Sequence, residues 1–178
     1  MKDFTFVTGN QNKVDYLSKF FGVPVKHIKL DLDEIQSLDL KIIAEHKARQ
    51  AYQKVQTPVL VEDSSLEFYA FGKLPGPFIR FFVEEMSLEA MCLMLPENSR
   101  KAVARSTFGY FDGKDMRFFE GILNGEIAMT PKGENGWAWD KIFIPEGYSV
   151  TRGELNDEEY KKTSLIFRSV AELKEFLE

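Results

Sequence analysis

One cysteine, two histidines and no long apolar run mark the 178 residues of this chain. A lone Cys92 excludes a disulfide within the chain, and its setting in Ala90-Met91-Cys92-Leu93-Met94-Leu95 reads as a buried thiol of a reducing compartment. His27 and His46 lack metal-ligand spacing and read as surface residues. No segment approaches the ~18 apolar residues of a membrane span, and no charged-then-apolar leader opens the chain, so a cytoplasmic location without a membrane partner is expected. A basic excess is missing too. With 28 acidic against 23 basic residues the net charge is −5, which argues against a nucleic-acid polymer as partner, because such binding uses basic patches to displace counterions. A local group of lysines can still hold a small anion.

What is present is an alternation of strand and helix patterns. Phe4 to Val7 reads as a strand, and Val14, Leu17, Phe20 and Phe21 at helical spacing stop at Gly22, with Pro24 just beyond. Val25 to Leu32 reads as a second strand and Asp33 to Gln36 as its following loop. Asp39 is placed to cap a helix that carries Ile42, Ile43, Lys47, Ala48, Ala51, Tyr52 and Val55 and reaches Pro58. A short apolar strand from Pro58 then ends at Glu62 and Asp63. Pro75-Gly76-Pro77 reads as a stiff turn before a helix whose Phe78, Phe81, Phe82 and Met86 face a core. Ala102 to Phe111 and Met116 to Ala128 flank the turn Asp112-Gly113-Lys114 as a hairpin of a second lobe, and Leu165 to Leu177 reads as an amphipathic helix. The pattern predicts an α/β fold in a single domain, residues 1–178, with an elongated mixed sheet and two lobes around a central cleft.

Three segments carry chemistry. At Thr8-Gly9-Asn10-Gln11-Asn12-Lys13 a strand gives way to a helix, whose unpaired N–H groups and positive dipole end favour an anion beside Lys13. Glu62-Asp63-Ser64-Ser65-Leu66 sets two adjacent carboxylates at a strand end, where ligands collect in open α/β sheets. Such neighbours repel, and lysines or a hard divalent metal shared with phosphate would relieve them. Gly136-Trp137-Ala138-Trp139-Asp140 offers aromatic faces for a base, although tryptophan is as often core filler.

Together these segments resemble the inosine triphosphate pyrophosphatase (Ham1-like) family over nearly the whole chain. Thr8-Gly9-Asn10-Gln11-Asn12-Lys13 matches its T-x-N-x-x-K opening, Glu62-Asp63-Ser64-Ser65-Leu66 its acidic segment, Leu74-Pro75-Gly76-Pro77-Phe78 its L-P-G turn, and Gly136-Trp137-Ala138-Trp139-Asp140 its G-F-G-(Y/W)-D loop. The resemblance implies a two-lobed, homodimeric enzyme that hydrolyses a nucleoside triphosphate of inosine or xanthosine type to monophosphate and pyrophosphate. It implies Mg²⁺, with Mn²⁺ as an alternative, held by Glu34, Asp63 and Glu62, with Asp63 as the catalytic base. Lys13 and Lys47 would contact the phosphates, and Thr8, Asn10 and Ser64 would also bind the substrate. Trp137 would stack on the base, with Ala138, Trp139 and Asp140 lining its pocket. One departure stands out. The family's S-H-R falls on Ser164-Leu165-Ile166, and the lysine expected four residues before that serine falls on Tyr160, so Lys161 or Arg168 would have to compensate. Two other readings are the same chemistry on a different base and a nucleotide-binding relative without turnover.

Overall fold

The computed structural model describes residues 2–178, except for the side chains of residues 166–168. A seven-stranded mixed sheet organises the α/β fold, in the order β2-β1-β3-β5-β6-β7, with β4 paired to β3 off that path. Its strands are β1 (Thr5–Val7), β2 (His27–Ile28), β3 (Val59–Phe68), β4 (Pro75–Gly76), β5 (Lys101–Phe111), β6 (Met116–Ile127) and β7 (Phe143–Pro145). The helices are α1 (Gln11–Phe21), α2 (Leu40–Val55), α3 (Ile79–Glu85), α4 (Leu88–Leu93), α5 (Asp157–Lys162) and α6 (Leu165–Leu177). Among the described residues no helix is long and apolar enough to cross a membrane. The chain divides into two compact units, Met1–Asp63 with Ser106–Gly121 and Ile166–Glu178, and Ser64–Arg105 with Ile122–Leu165.

In the first unit β1 lies between β2 and β3 and runs parallel to both, with Phe6 opposite His27 and Leu60. Strand residues alternate between faces, so Phe6 and Leu60 join Val14 and Leu17 of α1, whereas Val7, Val59 and Val61 join Ala44, Ala48 and Ala51 of α2. The two crossover helices thus cover opposite faces. This is a doubly wound arrangement whose direction of winding reverses at β1. Burying a side chain such as Leu17 contributes about 1.5–3 kcal/mol, and the alternation ensures that each helix finds such partners.

Local chemistry bounds both helices where the sequence places them. The Asn10 side chain accepts from the backbone N–H groups of Asn12 and Lys13, and Gly22 closes α1 at φ 72°, a conformation that costs glycine nothing. Asp39 accepts from the Lys41 N–H at 2.8 Å to start α2. The expected strand over Val25 to Leu32 contracts to His27 and Ile28. By contrast β3 does not stop at its carboxylates but continues to Phe68, because Leu66 and Phe68 still bury fully and β4 pairs with this extension. Pro75-Gly76, expected as a turn, is that pairing strand.

The second unit has its own core of Leu66, Phe68, Met91, Ile127, Ile142 and Phe143, with Cys92 buried and unpaired among them. Arg100 donates to the carbonyls of Cys92, Leu95, Ile127 and Ala128, which ties the end of α4 to β6. Of the α3 phenylalanines, Phe82 packs on this core, but Phe81 is exposed. The hairpin of β5 and β6, expected to form much of a second lobe, is divided: its tip, with Asp112 accepting from Lys114 and Asp115 N–H groups, belongs to the first unit.

Candidate active site

Strand alternation sorts the carboxylates of β3. Glu62 shares the face of Leu60, and Asp63 shares the face of Val61. Each therefore meets the lysine of the helix covering its own side. Lys13 of α1 pairs with Glu62, and Lys47 of α2 pairs with Asp63 at 2.7 Å. The Glu62 side chain is 1% exposed, and its Oε1 also accepts from Ser106 Oγ at 2.8 Å. A buried charge persists only when paired and hydrogen-bonded, and Glu62 is both. The backbone thus turns the adjacent Glu62 and Asp63 to opposite faces of β3, each against its own lysine.

A different pair converges instead. Glu34, on the connection between β2 and α2, lies 3.3 Å from Lys47 Nζ, so one ammonium lies between the carboxylates of Glu34 and Asp63. Asp63 Oδ2 is buried without a hydrogen-bond partner. Burial pushes the Asp63 carboxyl above its ordinary range, and Lys47 offsets this only in part. Burial also works against the Lys47 ammonium, but there Asp63 and Glu34 outweigh it and hold that pKa above the usual value. Among the described residues no three acidic, histidine or cysteine side chains form a closed metal cage. A magnesium site does not require one, since Mg²⁺ takes one or two carboxylates and completes its shell with water and substrate phosphate. Two carboxylates already sharing a cation, one with an orphaned oxygen, fit that demand.

The Thr8 to Lys13 turn also differs in detail from expectation. Thr8 Oγ1 accepts from the Asn10 N–H at 3.1 Å, and Asn10 caps α1, so both side chains build the turn. Beside it lies a cavity of about 280 Å³ lined by Thr8, Gly9, Asn10 and, from β2 and its end, His27, Ile28 and Lys29. His27 is exposed as expected, but His46 is half-buried, with Nε2 enclosed and unpartnered. Ser64 is half-buried at the next position of β3.

In the second unit the two tryptophans separate. Trp139 packs on Phe143, ring centroids 5.5 Å apart, as a partly buried residue at the margin of the unit's core. Trp137 is 45% exposed. Asp140 is not a free pocket group either. Its Oδ1 accepts from Arg152 Nε at 2.6 Å, and its Oδ2 accepts from the Tyr160 hydroxyl at 2.6 Å and the Trp137 N–H at 3.1 Å. Arg152 also donates to the Thr163 carbonyl and hydroxyl. Burial, followed by Asp140, drives the Tyr160 pKa up, so the phenol remains a donor. Gly136, at φ 76°, is required here because a Cβ would lie 2.5 Å from Asp140 Oδ2. Ala138, where the resembled motif has glycine, also sits at positive φ, 52°, a conformation that costs an alanine about 1 kcal/mol. Leu165 is buried in the unit's core, Lys161 is exposed on α5, and the Arg168 side chain lies outside the described residues. Sequence reasoning passed over Ser106, Arg152 and Thr163. The one signal was Ser106-Thr107 interrupting an apolar strand.

The Arg152–Asp140 pair is nearly closed to solvent. Arg152→Ala strands the carboxylate and should cost about 3–5 kcal/mol, read as a lowered denaturant midpoint; a loss under 1 kcal/mol would show that the pair is not the anchor of this loop.

The sequence profile of the Ham1 family matches residues 4–176. The chain belongs to the Ham1 family. Among its relatives, an inosine triphosphate pyrophosphatase of Scheffersomyces stipitis is 37% identical over 193 residues, covering 99% of this chain and 98% of the relative. The inosine triphosphate pyrophosphatase 2 of Trypanosoma cruzi is 38% identical, covering 96% and 89%. A solved Ham1 protein of Coxiella burnetii shares the fold with a TM-score of 0.88 at 22% identity, over 99% of this chain and 98% of that one. This Ham1 chain keeps the acidic residues and Lys13 of the resembled motifs and differs at Ala138, Tyr160, Leu165 and Ile166.

Proposed function

We propose that this chain is a metal-assisted pyrophosphohydrolase that cleaves a nucleoside triphosphate between its α- and β-phosphorus atoms, releasing the nucleoside monophosphate and pyrophosphate. The observation that carries this reading is the Lys47 ammonium held between Glu34 and Asp63, with Asp63 Oδ2 orphaned beside it. Phosphoanhydride hydrolysis needs charge neutralisation, a cation and a proton acceptor. Lys13 and Lys47 neutralise phosphate oxygens. Glu34 and Asp63 would hold a divalent cation, Mg²⁺ or Mn²⁺, which would supply charge withdrawal from the polyphosphate. Asp63 accepts the proton of the attacking water as the O–P bond forms at the α-phosphorus and the bridging bond to the β-phosphorus breaks. Trp137, 45% exposed while Trp139 is partly buried against Phe143, is the face offered to the base. The full-length match to inosine triphosphate pyrophosphatases supports a base of inosine or xanthosine type as one substrate.

The enzyme acts as a homodimer in the cytoplasm. Exposed Tyr69, Phe71, Leu74 and Phe81, close in sequence within the second unit, support the first statement, and the single unpaired Cys92 supports the second.

Phosphate analysis of inosine triphosphate digests is the test. Pyrophosphate and monophosphate in equal amounts, with turnover abolished by a chelator and restored by Mg²⁺, are expected. Release of orthophosphate and diphosphate, or turnover indifferent to chelation, would defeat the reading.

A further inference from the structure

Residues 29–38 between β2 and α2 form no regular ladder, yet they carry Glu34. Their backbone groups need partners from elsewhere, and α2 supplies them. Gln50 Nε2 donates to the Asp33 carbonyl at 3.2 Å, while Gln50 Oε1 accepts from the Asp33 N–H at 3.1 Å. One carboxamide thus satisfies both backbone groups of a single residue, as a neighbouring strand would. One turn further along α2, Lys54 Nζ donates to the Asp31 carbonyl. At the other end Lys47 meets the Glu34 side chain.

The order is antiparallel: Asp31 against Lys54, Asp33 against Gln50, Glu34 against Lys47. The spacing is commensurate. From Asp31 to Asp33 the segment advances two residues, about 6.6 Å when extended, against the ~6 Å rise of the four residues from Gln50 to Lys54, and Glu34, one residue on, meets Lys47, three residues back along α2. A register set in this way fixes where Glu34 emerges. Its side chain is 51% exposed, so packing does little to hold it.

We infer that Gln50 is a positioning residue, holding the Asp33 backbone so that the neighbouring Glu34 carboxylate is delivered to Asp63 and Lys47. This rests on the assignment above of a divalent cation to Glu34 and Asp63. Gln50 touches neither substrate nor cation. Its effect is on the preorganisation of one ligand, and groups that orient metal ligands typically govern about 10–100-fold in metal affinity.

Gln50→Met keeps the length and most of the volume of the side chain but removes both hydrogen bonds. Gln53→Ala, on the exposed side of α2, serves as the control. Two readouts besides turnover decide the matter: hydrogen exchange of the Asp33 amide in metal-free protein, and Mn²⁺ binding followed by electron paramagnetic resonance. In Gln50→Met the Asp33 amide should exchange faster and Mn²⁺ should bind about tenfold more weakly, with kcat at saturating metal within twofold of the parent; Gln53→Ala should change none of these. Faster Asp33 exchange with unchanged Mn²⁺ binding, while Glu34→Gln does weaken Mn²⁺, would overturn the role of Gln50 and leave the proposed function standing. If Glu34→Gln also leaves Mn²⁺ binding unchanged, Glu34 is no ligand and both fall.

Discussion

Asp63→Asn should yield a folded protein whose turnover of inosine triphosphate is lower by about 10³–10⁴-fold, the range in which a lost general base is felt most strongly. The substitution is isosteric and lies within β3, whose pairing is made by backbone groups, so the sheet has no reason to change. What disappears is the proposed proton acceptor and one of the two anions around Lys47. Stability should hold or rise. Burial raises the Asp63 pKa in the folded state, so the folded protein binds that proton more tightly than the unfolded chain does. Stability from this group therefore falls as pH rises from the unfolded value through the raised folded one. At neutral pH the charged carboxylate is a burden that asparagine removes. Thermal unfolding near pH 7 and pyrophosphate release check the two halves together. Turnover within tenfold of the parent would remove Asp63 from the proton-accepting role, and a collapse of the fold would refute the account of β3.

Base discrimination should be weak: kcat/KM for inosine or xanthosine triphosphate should exceed that for adenosine or guanosine triphosphate by no more than about tenfold. A site that reads a purine edge does so through donors and acceptors that are left unpaired by the wrong base. The segment in which the family resemblance places those donors offers few. Leu165 is buried in the second unit's core and has no donor to give. The Tyr160 hydroxyl is committed to Asp140, and both Asp140 oxygens are occupied by Arg152, Tyr160 and Trp137. Stacking on Trp137 remains, and stacking tolerates any base. Each missing hydrogen bond to a charged group is worth about 1.5–3 kcal/mol, so two of them amount to roughly several-hundredfold or more in discrimination at ~1.4 kcal/mol per tenfold. A nucleotide panel measured at one Mg²⁺ concentration gives the ratio. If inosine triphosphate is preferred by more than a hundredfold and Arg168→Ala leaves that preference intact, base selection does not work as described here.

The short-range features were legible because their causes are short-range. Asn10 and Gly22 bound α1, Asp39 starts α2, and Asp112-Gly113-Lys114 turns the hairpin, each through contacts within a few residues. Lys13 and Asp63 pointed to phosphate and metal chemistry from their settings, and Glu34 and Lys47 did so through the family resemblance, before any geometry was known. Tertiary structure decided which of them meet. The apolar run before Glu62 does not reveal that β3 continues to Phe68, because Leu66 and Phe68 gain their burial from partners distant in the chain. Nor does adjacency in sequence reveal that Glu62 and Asp63 part company, one to Lys13 and Ser106, the other to Lys47 and Glu34. That outcome follows from α1 and α2 covering opposite faces, a property of the winding at β1. Asp140 looked like a pocket group until Arg152 and Tyr160, 12 and 20 residues away, were found to occupy it. Residue type and local spacing set what each group is able to do, whereas the register of strand against helix, which no local propensity encodes, determines the partner it does it with.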